Sequence, residues 1–195
     1  MDARTLIVRG LLAAIGAAAA SAANASCFGP PAHSGCGQRP ESPRDWHVHM
    51  GGASVHSSET NAPGRRWNER HSGFGAELRV PGLPWHGVDR THPWRTTYTF
   101  GTFADSRSVQ SYYTGTAVSH PLMRIGNMQL DGGAGAFLFY RSRSWSGRMA
   151  LTPAVLPVLS LTDRHGGAGL NLTWRPPGFG GPGTVFLQVT RPLQP

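Results

Sequence analysis

Between residue 47 and residue 191 apolar and polar side chains alternate with a period of two. Eight runs carry this character, at roughly 47–57, 72–80, 94–104, 109–119, 124–140, 148–162, 167–175 and 183–191, with turn-rich segments between them. In AGLNLTW, Ala168, Leu170, Leu172 and Trp174 share one face, and Gly169, Asn171 and Thr173 the other. In TVFLQVT, Val185, Leu187 and Val189 oppose Thr184, Phe186, Gln188 and Thr190. In NMQLDGGAGA, Met128, Leu130, Gly132 and Ala134 oppose Asn127, Gln129 and Asp131. No run shows helical periodicity, and no internal repeat is visible.

One apolar face and one mixed polar face fit either a soluble sheet or a membrane barrel. The N-terminus bears on that choice. MDARTLIVRGLLAAIGAAAASAANA carries Arg4 and Arg9, an apolar run from Gly10 to Ala20, and then Ala23-Asn24-Ala25. This reads as a signal peptide over 1–25, cut before Ser26. Its apolar run is too short to cross a bilayer as a helix. An exported chain with an even number of strands, each about 9–11 residues long, fits an outer-membrane barrel. The expected fold is therefore all-β: an eight-stranded antiparallel up-and-down outer-membrane β-barrel over 46–193. A secreted eight-stranded barrel of the lipocalin type is the competing expectation. Ahead of the barrel, 26–45 contains Pro30, Pro31, Pro40 and Pro43 and reads as an irregular segment. Cys27 and Cys36 both lie there, and export makes a disulfide between them a natural expectation, worth roughly 2–3 kcal/mol in the chain-entropy picture.

Charge narrows the partners. The chain has 18 basic residues, all arginine, against 10 acids, and a formal net charge of +8. Such a surplus suggests an anionic partner. The arginines are scattered singly and form no tract or recognition helix, so nucleic acid is not the expected partner. Phospholipid headgroups or a phosphorylated glycolipid are. The histidines show no ligand spacing and there is no second cysteine pair, so no metal or cofactor is expected.

Asp105 and Ser106 stand together at the bend of TTYTFGTFADSRSVQSYYTGTA. Both residue types favour turns for local hydrogen-bonding reasons. In an up-and-down barrel, however, the first and third strands end on the same rim. His56, near the end of the first run, then shares a mouth with Asp105, Ser106 and the loop SETNAPGRRWNERHSG. Adjacent strand residues point to opposite faces, so Asp105 and Ser106 converge only where the strand has ended or bulged.

Four segments carry a resemblance: RRWNERHSGFG (65–75), FADS (103–106), VLPVLSL (155–161) and LNLTWRPPG (170–178). In this order they resemble the lipid A palmitoyltransferase (PagP) family, over about residues 46 to 192. The resemblance implies a monomeric outer-membrane barrel that moves an acyl chain, typically palmitate, from a phospholipid to lipid A without metal or cofactor. It implies a catalytic trio of His56, Asp105 and Ser106, with His49 and His47 as alternatives further back on the first strand. It also implies lateral lipid access where Pro153, Pro157 and Pro176, at the ends of strands six and seven, remove ladder hydrogen bonds. Ala117 stands at the position of a floor glycine that limits chain length.

The chemistry that this resemblance implies is acyl transfer, which needs a hydroxyl, a base and an oxyanion donor. His56 is the natural base and Asp105 its electrostatic support. Ser106 serves either as covalent nucleophile or as oxyanion donor while a lipid A hydroxyl attacks directly. Asn68, Glu69 and Arg70 are candidates for substrate binding, with Arg70 facing a lipid A phosphate, although they also suit a loop-stabilising network. The inner-face glycines (Gly101, Gly115, Gly133, Gly135, Gly169) leave volume for an acyl chain. Trp46, Trp94, Trp145 and Trp174 suit an aromatic girdle. His86 and His92 fall on the opposite rim, and His120 and His165 near turns. The alternatives are a non-catalytic lipid-binding barrel and an acyl-ester hydrolase of phospholipase type on the same scaffold.

Overall fold

The computed structural model describes residues 45–193 apart from 58–59, 63–64, 87, 89–92, 144–147, 166 and 178–181. Cys27, Cys36, Trp145, His92 and the whole 1–44 segment lie outside the described residues. Ten strands form. Eight of them, β1 (Asp45–His56), β4 (Arg70–Pro81), β5 (Arg95–Ala104), β6 (Gln110–Ile125), β7 (Met128–Ser142), β8 (Met149–Asp163), β9 (Gly169–Arg175) and β10 (Thr184–Pro192), close into one antiparallel barrel. Each barrel strand pairs with the next along the chain, and β1 closes the ring against β10. The short strands β2 (Thr60–Ala62) and β3 (Arg65–Arg66) form a separate ribbon in the loop after β1. The expected all-β, eight-stranded up-and-down barrel is what the sequence folds into, and no helix occurs among the described residues.

The sidedness is the reverse of a soluble domain's. Met50, Phe74 and Val155 are 78%, 70% and 77% exposed on the outer wall, whereas the residues turned inside include His49, Glu77, Arg79 and Asp131. A soluble barrel keeps its apolar side chains inside; here the alternation read from the sequence has its apolar face outward. Trp46 and Trp174 sit near opposite ends of that outer wall, both partly exposed.

The lower half of the interior is filled by charged groups that satisfy one another. Arg79 donates to Glu77 at 2.7 Å, to Thr162 at 3.1 Å and to Thr190 at 3.2 Å. The Asn171 amide donates to Glu77 at 2.9 Å and accepts from Ser160 at 2.7 Å. Arg95 reaches Asp131 across the barrel at 3.1 Å. Above this plug lies an apolar section with Phe103, Phe137, Phe139, Leu156 and Phe186 on its walls, open at the rim where β1 and β5 end.

The inner-face glycines serve those walls differently from the sequence expectation. A Cβ on Gly115 or Gly135 would meet the Phe137 ring, at 2.4 and 2.6 Å, and one on Gly75 would meet His49. At these three positions the released volume is occupied by neighbouring rings, whereas Gly133 and Gly169 lie against backbone carbonyls of the adjoining strands.

A second correction concerns the prolines. Pro153 and Pro157 lie inside β8, not at a strand end, while Pro176 directly follows β9. The β7–β8 ladder runs unbroken past both, from Met128↔Asp163 to Ser142↔Met149. The β8–β9 ladder starts at Thr162↔Gly169 and stops at Val158↔Thr173, one residue short of Pro157. Residues four apart on a strand direct their N–H groups to the same neighbour, so the two missing donors both belong to the β9 side. The upper β8–β9 seam is therefore unlatched.

β1 contains the feature that sets the site. His47 and His49 are buried inside, and so are Ser54 and His56, although strict alternation cannot turn odd and even positions the same way. The register shifts on both neighbours between His49 and Ala53, where Gly51 adopts φ 61°. This is a β-bulge with its glycine in the left-handed region. A Cβ there would approach the His71 carbonyl at 2.9 Å. Gly51→Val is expected to cost roughly 1–2 kcal/mol from the left-handed backbone alone, read as a lower urea midpoint; an unchanged midpoint would show that the bulge tolerates a side chain.

Candidate active site

β5 ends at Ala104, and the chain turns over Asp105 to Val109 before β6 begins. Two backbone bonds close this turn, Ser108 N–H to the Asp105 carbonyl and Asp105 N–H to the Val109 carbonyl, both 2.8 Å. Ser108 takes φ 61° to complete it. Because the strand has ended, Ser106 is free of alternation and swings over the mouth. Its Oγ lies 2.9 Å from His56 Nε2. The bulge in β1 and the turn after β5 thus bring together the histidine and serine that the sequence placed on one rim. His49 and His47 stay deeper in the barrel, and His49 is engaged by the Gln188 amide at 2.7 Å and by Tyr113.

Asp105 does not take the expected role. Its carboxylate turns away from His56 and is consumed by the turn itself. Oδ1 accepts from the Arg107 and Val109 amides at 2.8 and 3.0 Å. Oδ2 accepts from Ser142 Oγ at 2.7 Å, Ser142 N–H at 3.2 Å and Ser111 Oγ at 3.2 Å. Burial pushes the Asp105 carboxyl up, but the hydrogen bonds from Ser142, Val109 and Arg107 outweigh it and hold the group below the usual carboxylate range. Asp105 ties the β5–β6 turn to the end of β7 and so fixes where Ser106 sits.

The acid that faces the imidazole is Glu69, with Oε1 3.9 Å from His56 Nδ1. That nitrogen is buried and makes no hydrogen bond among the described residues. For Ser106 to donate to Nε2, the ring proton must sit on Nδ1, pointing toward Glu69. Serine, histidine and glutamate therefore lie in sequence, with the last link about one ångström too long for a hydrogen bond. Catalytic contacts are commonly loose before substrate binds. Trp67 holds the ring in plane, stacked on His56 at 4.8 Å and 11°. Arg107 packs on the same indole, its guanidinium carbon 5.5 Å from the ring centre.

The remaining sequence candidates divide. Asn68 is committed to the turn: its N–H donates to the Ser106 carbonyl at 2.9 Å and its side-chain amide to the Asp105 carbonyl at 3.1 Å. Arg70 is exposed at the start of β4, outside the cavity. Ala117 is buried on the inner face of β6, between Thr97 and Gly135. The next inward residue, Ser119, belongs with the polar plug, so Ala117 marks the lower limit of the apolar section.

Sequence reasoning did not single out Trp67, nor a second serine–histidine pair. His71 Nδ1 lies 2.6 Å from the Ala104 carbonyl and must donate to it, which leaves Nε2 to accept from Ser54 Oγ at 2.7 Å. This buried pair joins β1, β4 and β5 beneath Ser106. Ser54 falls on the inner face only because of the bulge, so simple alternation hides it.

The sign of the Asp105 pH dependence follows from its lowered pKa. Its contribution is complete above the ordinary carboxylate pKa of about 3.9 and disappears as pH falls through the lower folded value. Acidification below the ordinary carboxylate range should release the 105–109 turn, seen as shifts of the Arg107, Val109 and Ser142 amide resonances. Asp105→Asn should abolish that transition and cost about 2–3 kcal/mol; amide shifts identical in the two proteins would contradict the assignment. The chain matches no known protein-family profile and no curated protein.

Proposed function

We propose that this chain is an outer-membrane acyltransferase that moves a fatty acyl chain, palmitate-like in length, from a phospholipid to lipid A. The observation that carries the reading is the His56 Nε2–Ser106 Oγ hydrogen bond of 2.9 Å at the open end of an apolar-walled barrel. Three features support it. An outer wall of exposed Met, Phe, Leu and Val residues around a charged interior suits lipid as the surrounding solvent. The unlatched β8–β9 seam offers a phospholipid a sideways route to the interior. The motifs resembling the lipid A palmitoyltransferases coincide with the mouth and with this seam.

The donor ester carbonyl sits beside Ser106 with its chain in the apolar section below. His56 takes the Ser106 proton as Oγ attacks the carbonyl carbon. The alkoxide of the departing lysophospholipid then receives that proton from His56, leaving an acyl ester on Ser106. A lipid A hydroxyl attacks this ester while His56 accepts its proton and returns it to Ser106 Oγ. In the alternative route the lipid A hydroxyl attacks the donor directly, with His56 as base and Ser106 donating to the oxyanion. The short bond between His56 and Ser106 favours the covalent route. Glu69 supports the imidazolium that forms in either.

His56→Ala and Ser106→Ala should each lower transfer by about 10²–10⁴-fold, measured by mass spectrometry of lipid A from cells expressing each variant. Full transfer by both would sink the assignment. An intact-mass increment of one acyl group, absent in Ser106→Ala, selects the covalent route. Fatty acid released without any change in lipid A would make water the acceptor and the protein a hydrolase. Ala117 sets the floor, so Ala117→Gly should lengthen the chain accepted by about a methylene or two; identical chain-length profiles would place the floor elsewhere. At roughly 0.8 kcal/mol per buried CH₂, such a shift is measurable in competition between donors.

A further inference from the structure

Three guanidinium groups share the mouth with the His56–Ser106 pair. Arg141 is the last inward residue of β7, Arg175 the last of β9, and Arg107 lies in the β5–β6 turn; all three line the same cavity as His56 and Ser106. Their engagements differ. Arg107 donates to the Ser142 carbonyl at 2.8 Å, and Arg175 to the Pro182 carbonyl at 2.7 Å. Arg141 makes no hydrogen bond or ion pair among the described residues. Among the described residues two acids stand against these three guanidinium groups: Asp105, whose carboxylate attracts Arg141 but spends its hydrogen bonds on the turn, and Glu69, which faces His56. Like charges gathered on a concave, poorly solvated wall repel, so the arrangement is stable chiefly when an anion joins it. Thr152 adds an independent sign, since its hydroxyl oxygen is buried in this wall with no hydrogen-bond partner among the described residues.

On this basis, and resting on the acyltransferase reading, we propose that Arg141 and Arg175, with Arg107 and Thr152 beside them, bind the phosphodiester of the donor phospholipid. Forked guanidinium donors match phosphate oxygens, and a hydroxyl completes the set. The register supplies the spacing. His56 pairs with Thr184, and Thr184 with Arg175, so histidine and arginine lie two strands apart in one row. Two strand spacings are about 10 Å, and the long arginine side chain shortens the gap. The phosphate of a glycerophospholipid is a few bonds from its ester carbonyls, so an ester at Ser106 brings the phosphate into reach. The position also suits the route: Thr152 on β8 and Arg175 on β9 flank the seam above Val158, where the two strands are unlatched. A phospholipid moving in sideways meets the arginines before its ester meets His56.

The test reads binding, not transfer. Folded protein in uncharged maltoside micelles is titrated with dihexanoyl-phosphatidylglycerol, with dihexanoylglycerol, which lacks the phosphate, and with inorganic phosphate. Wild type should prefer the phospholipid to the diacylglycerol by about tenfold or more, and Arg141→Ala and Arg175→Ala should each remove most of that preference. Arg141→Lys, which keeps the charge and loses the fork, should fall between. Arg164→Ala, which removes the same charge at the opposite rim, should leave the preference unchanged. Equal affinity of wild type for the two lipids, or an equal effect of Arg164→Ala, overturns the proposal. Inorganic phosphate binding as tightly as the phospholipid overturns the headgroup assignment in favour of a free anion. Circular dichroism of each variant confirms that the barrel is intact. Phosphate-dependent binding by a chain that never modifies lipid A would sink the acyltransferase reading and leave this site standing; transfer without phosphate preference would do the reverse.

Discussion

On a β-strand the side chains of odd and even residues leave opposite faces, so His47, His49 and His56 can all enter one barrel interior only if a residue is inserted between them. Gly51 is that insertion. It lies where β1 runs one residue longer than β10 and one residue shorter than β4, and past it the upper third of the strand turns over. Without it, Ser54 and His56 would face outward, Ser106 would overhang an empty wall, and the second serine–histidine pair would not form. The lower strand keeps the other parity and delivers His49 to Gln188 and Tyr113. One strand therefore serves two chemically different layers, a polar middle and the mouth that carries the His56–Ser106 pair.

The layers are consistent with one another energetically. Charges such as Glu77, Arg79 and Asp131 are costly inside a barrel unless each finds partners, and here they do so across strands far apart in sequence. Their network closes the lower interior and stiffens the ring in place of a hydrophobic core. The apolar section above is left unfilled by long side chains, because Phe137 lies flat over the spaces at Gly115 and Gly135. A cavity of this kind, polar at both ends and aromatic along its walls, suits a ligand with one apolar chain and one polar head.

Much of this was legible in the residues. Eight alternating runs gave the barrel's strand count and most of the boundaries, because apart from the irregularity in β1 the barrel strands largely keep period two. Strand parity put His56 and Ser106 on one rim, and the structure bonds them. What escaped was whatever depends on irregular backbone. The bulge was hidden because Gly51-Gly52 in HVHMGGASVH reads as two weak strand positions. The swap of Asp105 for Glu69 beside the imidazole was hidden for a related reason. An aspartate at a turn has neighbouring N–H groups to satisfy first, and only the folded turn shows that Arg107, Val109, Ser111 and Ser142 take all its capacity. Pro153 and Pro157 looked like strand ends because proline is excluded from two-sided ladders; a strand latched on one side alone tolerates both.

The same logic explains why the irregular features cluster. A barrel closed by eight complete ladders has no edge and no side door, and nothing inside it could exchange with a surrounding lipid phase. Removing donors along one seam opens the wall only where β9 is already short. The arginine that ends β9 then stands at that opening, one row from His56 through Thr184. On the proposed outer-membrane reading, placing the break elsewhere, for instance at the Glu77–Arg79 level, would expose the charged plug to lipid at high cost. The seam is thus confined to the upper wall by the chemistry of the lower one. On the proposed reading, the His56–Ser106 pair, the apolar section and the guanidinium groups must share that upper end if a two-part lipid is to reach all three at once.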